Sequence, residues 1–412
     1  SPFSDRAKVM NDHPAIIFAA AMIFIYGLFS KAADRSPVTA PMVFVTVGIL
    51  VGPAGFDLFH MEAGGELVHI LTEITLILIL FVDASTINLK KLIADRAVPM
   101  RLLLIGLPLT MLLGTLVAYP LFPGVDIWLL ILMALILSPT DAALGQAVVK
   151  SEKVPERVRR WISVESGLND GIALPPIFAC IAVLTLGLGG SDKHWVLFLL
   201  QQVVLGAAIG GLIGWLGGYL VSRFSDRDWM SHTFQQLVSG SLAILCFAIA
   251  ESVHGNGFIA AFAGGLLLGT STRSDEIRER IQEFGEAFGL QLILFVFLIF
   301  AMAMVPIAIP YWDLNAWIYA LLSLTLIRML PVAISLIGSK LGLPTILFVG
   351  WFGPRGIASV LYLLLVANLL GIEGYERILA VIVLTVLLSV FLHGISAVPL
   401  SHRYGNSPSK VD

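Results

Sequence analysis

Thirteen apolar runs, each bounded by charge or by proline and glycine, divide this chain almost from end to end. They fall near residues 13–33, 38–56, 66–86, 98–119, 126–149, 157–187, 194–222, 231–253, 256–270, 281–308, 314–338, 344–370 and 376–398. Most are long enough to cross a hydrocarbon layer as a helix, the form in which a single segment satisfies its own backbone amides there. Across its 412 residues the chain is 58% hydrophobic and 13% charged, with a mean hydropathy of +0.92. Such a composition excludes a soluble domain of this size and predicts an all-α polytopic membrane protein of about thirteen transmembrane helices.

Other classes fall away quickly. Cys180 and Cys246 both sit in apolar runs without metal-ligand spacing, so they read as small core residues. No Gly-Lys dipeptide occurs, hence no P-loop and no nucleotide-driven chemistry. No cofactor and no nucleic-acid partner is expected; the lipid bilayer is.

Lysine and arginine set the predicted orientation. With the N-terminus outside and the C-terminus cytoplasmic, nineteen of the 25 basic residues fall in cytoplasmic loops and four outside. Arg328 and Arg355 remain within the membrane. That bias is large enough to fix topology, and the alternation requires an odd number of spans.

Spans five and twelve are interrupted at matching places. In span five, Ile127 to Leu137 leads into Ser138-Pro139-Thr140-Asp141, and 142–149 completes the crossing. In span twelve, Thr345 to Phe352 leads into Gly353-Pro354-Arg355-Gly356, followed by 357–370. Both breaks lie about eight residues, roughly 12 Å at helical rise, from the predicted cytoplasmic end. Spans seven apart in opposite directions are what two inverted six-helix repeats around one linker helix give. Irregular backbone at this depth is tolerated only beside protein or a water-filled cavity. Each break also leaves helix ends carrying about half a charge. Asp141 is expected to offset the positive start of span five's second half, and Arg355 the negative end of span twelve's first half. A simple proline kink would need no charge beside each proline.

Span six carries the densest polar set, Ser163-Val-Glu-Ser-Gly-Leu-Asn-Asp-Gly-Ile-Ala173. Glu165 and Asn169 are four apart, as are Ser166 and Asp170, so each pair stacks on one helix face, the faces roughly 100° apart. Two carboxylates, an amide and a hydroxyl form an all-oxygen set suited to a proton or an alkali cation. Asp170 lies ten residues beyond Arg160, about 15 Å in, near the bilayer midplane. Arg328, twelve residues before Lys340, lies at similar depth and needs a carboxylate partner. Glu165 is the natural one, which leaves Asp170 to titrate.

Further polar residues read more plainly. Glu73, Asp83, Glu251 and Glu286 line a funnel or serve as helix-packing groups. His69, His254 and His393 lie near span ends and read as interfacial. Gly206, Gly210, Gly214 and Gly218 form a small-residue ladder, a helix-packing device.

Ser138-Pro-Thr-Asp141, Glu165-Ser-Gly-Leu-Asn-Asp-Gly171 and Gly353-Pro-Arg-Gly356, in this order and spacing, resemble the monovalent cation:proton antiporter family, in its electroneutral Asn-Asp sodium/proton exchanger branch. Glu251-Ser-Val-His-Gly-Asn-Gly-Phe-Ile-Ala-Ala-Phe262 is similar to a signature of the same family. Ala142 departs from it, standing where many relatives carry proline. The resemblance implies a homodimer in the cell membrane. It implies a mobile ion-translocating core from 98–187 and 314–398, a dimerisation scaffold from 13–86 and 231–308, and a linker helix over 194–222. It also implies Asp170 as the exchanging carboxylate, with Thr140, Asp141, Glu165, Ser166 and Asn169 around the ion, and a Glu165–Arg328 pair. The expected activity is therefore exchange of one monovalent cation, sodium or lithium, for one proton by alternating access. A potassium/proton antiporter with the same mechanism and a cation channel are the alternatives. A second titrating carboxylate at Asp141 would make exchange electrogenic.

Overall fold

The computed structural model of the chain describes residues 2–33, 36–87, 89–94, 96–141, 144, 146–149, 151–186 and 194–406. Among these residues there are helices and turns but no strand. Eight helices are long and apolar enough to cross a membrane: Pro14–Ala33, Glu66–Ser85, Ala97–Leu121, Glu156–Thr185, Leu197–Ser225, Asp275–Tyr311, Leu314–Ser335 and Glu376–Gly405. Five shorter apolar helices, Ala40–Val51, Ile127–Ile136, Val238–Ser252, Gly257–Ser271 and Ile357–Leu370, take the remaining places. Together they occupy the thirteen apolar runs one for one, as spans one to thirteen.

Three spans are less regular than the hydropathy implies. Spans four and ten each contain a π turn, Leu102–Gly106 and Phe300–Met304. Each turn ends two residues before a proline, Pro108 or Pro306, whose ring cannot sit against the carbonyl four residues back. Span eleven reads as continuous in the sequence but divides at Thr325, where φ is −112° and ψ −93°. The Thr325 hydroxyl donates back to Leu321 O at 2.7 Å, the local bond that competes with a regular helix. Of span five's second half, expected over 142–149, the described helix is Gln146–Val149. Ala142 lies outside the described residues.

Glycine decides the closest packing. A Cβ on Gly210 would lie 2.0 Å from Ala260 O, and one on Gly214 1.9 Å from Gly264 O, so span seven rests directly on the backbone of span nine. Gly265 and Gly269, also on span nine, would meet Phe81 O and Ser85 O at 2.0 and 2.1 Å on span three. Spans seven, nine and three thus form a slab in backbone contact. Elsewhere span five packs on spans four, six and thirteen, and span twelve on spans three and six. The two broken spans meet within that second group, beside the polar stretch of span six.

Candidate functional site

The first half of span five, Ile127–Ile136, is wholly apolar and ends at the Ser138-Pro139 step. The first half of span twelve, Leu343–Trp351, ends the same way at Gly353-Pro354. A proline removes a backbone donor and disfavours helix in the residue before it, so both chains leave the helix there. The two extended segments then cross, and Asp141 N donates to Pro354 O at 2.8 Å.

The charges at the breaks compensate helix ends, but not those of their own spans. Asp141 Oδ2 accepts from Ile357 N at 2.8 Å, at the start of span twelve's second half. Arg355 Nη1 donates to Ser138 O at 2.6 Å and Pro139 O at 3.2 Å, at the end of span five's first half. The sequence places each charge beside the helix ends of its own span; the structure exchanges them. Crossing the two segments brings each charged residue to the opposite helix end. Ser359 Oγ adds a bond to Ile136 O at 2.8 Å, closing the same carbonyl end from span twelve.

Glycines at the break of span twelve make this approach possible. A Cβ on Gly356 would stand 2.0 Å from Asp141 Oδ2, and one on Gly353 2.4 Å from Arg328 Nε. The Gly353-Pro-Arg-Gly356 sequence therefore clears space for two different side chains.

Span six supplies the rest from one continuous helix, Glu156–Leu186. Glu165 and Arg328 form a two-pronged ion pair, Nη1 to Oε1 at 2.6 Å and Nη2 to Oε2 at 2.8 Å. Both residues are buried. Each oxygen of Glu165 thus already faces a guanidinium nitrogen, which makes Glu165 a structural partner rather than a ligand awaiting an ion. Ser166 Oγ donates to Thr140 O at 2.6 Å, and Asn169 Nδ2 donates to Thr140 Oγ1 at 2.7 Å. Thr140 is thereby fixed against span six by both its carbonyl and its hydroxyl. Asp170 is 5% exposed, and its backbone oxygen accepts from Tyr362 OH at 2.8 Å.

Two buried acceptors on adjacent residues of span six, Asn169 Oδ1 and Asp170 Oδ1, receive no hydrogen bond. A buried carboxylate oxygen without a donor is costly unless a proton or cation serves it. The structure thus gathers Thr140, Asp141, Ser166, Asn169, Asp170 and Arg355 at the crossing, with the Glu165–Arg328 pair against Gly353.

Of the other intramembrane acids, Asp83 on span three lies within electrostatic reach of Asp141 and Asp170. Glu251 Oε1 accepts from Gly257 N at 2.8 Å, at the start of span nine. Glu73 and Asp83 are half-buried and Glu286 is exposed. His254 is exposed and His69 half-buried, but His393 is not interfacial: it is buried within span thirteen and hydrogen-bonded to the break of span twelve. The apolar run ends near 398, yet the helix continues to Gly405, which places His393 deeper than the run implies. Tyr362, Ser359 and Ser389 also touch the site, and as isolated hydroxyls in apolar helices they carry no local signal.

A family described as "Sodium/hydrogen exchanger, transmembrane" matches residues 18–403. The chain is 28% identical over 379 residues to a Na(+)/H(+) antiporter 2 of Zygosaccharomyces rouxii, covering 86% of this chain and 46% of that protein. It is 25% identical to the K(+)/H(+) antiporter NhaP of Alkalimonas amylolytica, covering 93% of this chain and 66% of the relative. The chain thus spans about half the length of the first relative and about two thirds of the second. Its fold is similar to that of the sodium proton antiporter MjNhaP1 from Methanocaldococcus jannaschii, with a TM-score of 0.78 at 21% identity, covering 93% of this chain and 99% of that one.

Proposed function

The chain belongs to the sodium/hydrogen exchanger family, a group of multi-pass membrane transporters, and from that premise we propose that it exchanges one monovalent cation for one proton across the membrane. The observation that carries the reading is the unserved Asp170 carboxylate oxygen beside Asn169 Oδ1, buried where two broken helices cross. The other charges there have protein partners: Glu165 has Arg328, Asp141 has the amide of Ile357, and Arg355 has two carbonyls. Asp170 is left to meet the positive ion, with Asp83 close enough to add to the negative field. Thr140, Ser166, Asn169 and Asp141 supply further oxygens around it, a hard set suited to sodium or lithium.

Proton and cation then exclude each other at Asp170. Either neutralises the site and lets it pass an apolar gate, while the bare carboxylate resists crossing. The moving core comprises 98–187 and 314–398, sliding against a scaffold of 13–86 and 231–308 with 194–222 as linker. The hydrogen bonds binding spans five, six, twelve and thirteen, and the glycine contacts binding spans three, seven and nine, support that division. The N-terminus faces outward and the C-terminus the cytoplasm of the cell membrane, on the basis of the basic-residue bias. Assembly as a homodimer rests on the family resemblance.

Potassium as the exchanged cation is the second reading, favoured by the relative named as a K(+)/H(+) antiporter. Proteoliposomes containing the full chain, with internal pH followed while lithium, sodium, potassium and rubidium are supplied in turn, test both. Sodium- or lithium-driven proton flux that saturates with cation is expected. A potassium preference replaces the first reading with the second, and single-channel current steps overturn exchange altogether.

A further inference from the structure

Among the buried titratable side chains that the exchange chemistry leaves unused is His393, which closes the carbonyl end of span twelve's first half. Trp351 ends that half-helix, and its carbonyl oxygen accepts from Gly353 N at 2.8 Å and faces His393 Nε2 at 3.0 Å. A carbonyl can only accept, so Nε2 carries a proton. The His393 ring is 1% exposed and packs against the Trp351 ring, centroids 4.8 Å apart. Trp351 is itself held to span thirteen by Nε1 donating to Ser396 Oγ at 2.9 Å.

On its other side, His393 Nδ1 lies 3.1 Å from Ser389 Oγ and 3.1 Å from the Ser389 backbone oxygen. That hydroxyl accepts from Arg355 N at 2.6 Å, which leaves its own proton for Nδ1. In the neutral Nε2–H tautomer, Nδ1 accepts from the Ser389 hydroxyl and makes no bond to the Ser389 carbonyl. One directed chain of donors results, from the Arg355 amide through Ser389 and His393 to the Trp351 carbonyl. Its two ends are the two sides of the break in span twelve.

We propose that His393 is a positioning residue for exchange: it bridges the break of span twelve and fixes the spacing that holds Arg355 on the carbonyls of span five. The inference rests on the antiport reading above. The path to the ion is short. Arg355 holds Ser138 O and Pro139 O, and the next residue, Thr140, receives the hydrogen bonds of Ser166 and Asn169 beside Asp170. Losing the bridge loosens Thr140 without touching a group that meets the cation.

The test uses the full chain in proteoliposomes, reading proton flux against the alkali cation that the unaltered protein exchanges fastest. His393→Ala is expected to raise half-saturation roughly tenfold, the scale of one or two buried hydrogen bonds. Maximal rate changes much less, because the bridge acts on binding in both orientations of the core. His393→Gln places an amide N–H where Nε2–H stood and should recover most of the affinity. Ser389→Ala should also raise half-saturation, and adding it to His393→Ala should change little, since both lie on one chain. Unchanged half-saturation in His393→Ala, or in Ser389→Ala if the His393→Ala variant does not fold, overturns the proposal. So does a His393→Gln variant no better than alanine, or fully additive losses. If the unaltered protein exchanges while all variants match it, this inference alone fails; if it exchanges no cation, the antiport reading fails.

Discussion

At the break in span five, the carbonyls that end the first half-helix are held by the guanidinium of Arg355, which comes from span twelve. At the break in span twelve, the corresponding carbonyl of Trp351 is held by His393, a neutral imidazole from span thirteen. Two repeats with the same backbone problem thus use a full cation in one place and an uncharged donor in the other. Counting charge explains the asymmetry. On the proposed reading, Asp141 offsets Arg355 and Glu165 offsets Arg328, so the negative charge of Asp170, reinforced by nearby Asp83, is offered to the cation. A second cation at Trp351 would oppose that charge and weaken the binding proposed for a monovalent ion. The two breaks resemble each other in shape because both must cross; they differ in charge because both face one site.

The largest effect follows from removing the charge that this balance exposes. Asp170→Asn keeps size and polarity but removes the one titrating charge proposed to meet the cation, so cation-driven proton flux should vanish while the protein still purifies as a folded species. Measurable flux from that variant ends the assignment. In the unaltered protein, competition at one carboxylate requires apparent half-saturation for the cation to rise about tenfold per unit fall in pH on the acid side of its titration, flattening on the other. An imposed membrane potential should leave the end-point gradient unchanged. A shifted end-point would mean Asp141 also carries protons, and the balance between the breaks would need recounting.

Next in size is the ion pair packed against the break of span twelve. Arg328 and Glu165 are both buried, so truncating either strands a charge, at a typical cost of about 3–5 kcal/mol. Glu165→Gln and Arg328→Gln should each lower the thermal unfolding midpoint sharply, and the double variant should lose clearly less than the sum. Additive losses would mean the pair contributes nothing as a pair, and Arg355 would have to be supporting the break without it.

Much of this arrangement is legible in the sequence, because membrane depth turns position along the chain into position in space. The thirteen runs, the two interrupted spans and the meeting of Glu165 with Arg328 all follow from that one coordinate. What depth cannot give is which helix a side chain crosses to. The neighbours a sequence displays for Asp141 and Arg355 are the ends of their own spans, whereas each reaches the other span. The break at Thr325 has no proline or glycine to announce it and depends on a hydroxyl choosing the backbone. His393 reads as interfacial because it lies near the end of the apolar run at 398, although the helix runs on to Gly405.

The smallest effects belong to the two glycines of span twelve, and they separate the partners each one serves. Alanine at Gly356 puts a methyl 2.0 Å from Asp141 Oδ2 and at Gly353 2.4 Å from Arg328 Nε, so in both variants something must shift. Such overpacking typically costs about 1–3 kcal/mol. In an otherwise unaltered chain the two should look alike by thermal midpoint. Function should divide them, because Asp141 stands beside Thr140 while Arg328 is turned to Glu165; Gly356→Ala is expected to raise cation half-saturation and Gly353→Ala to leave it nearly unchanged. A background of Glu165→Gln with Arg328→Ala sharpens the contrast, since alanine at 328 has no atom at the Nε position to meet the new methyl. In that background Gly353→Ala should lose most of its cost, and Gly356→Ala should keep all of it. Equal costs in both backgrounds would mean the methyl at 353 strains the break itself, and the room it leaves would then serve the backbone of span twelve rather than Arg328.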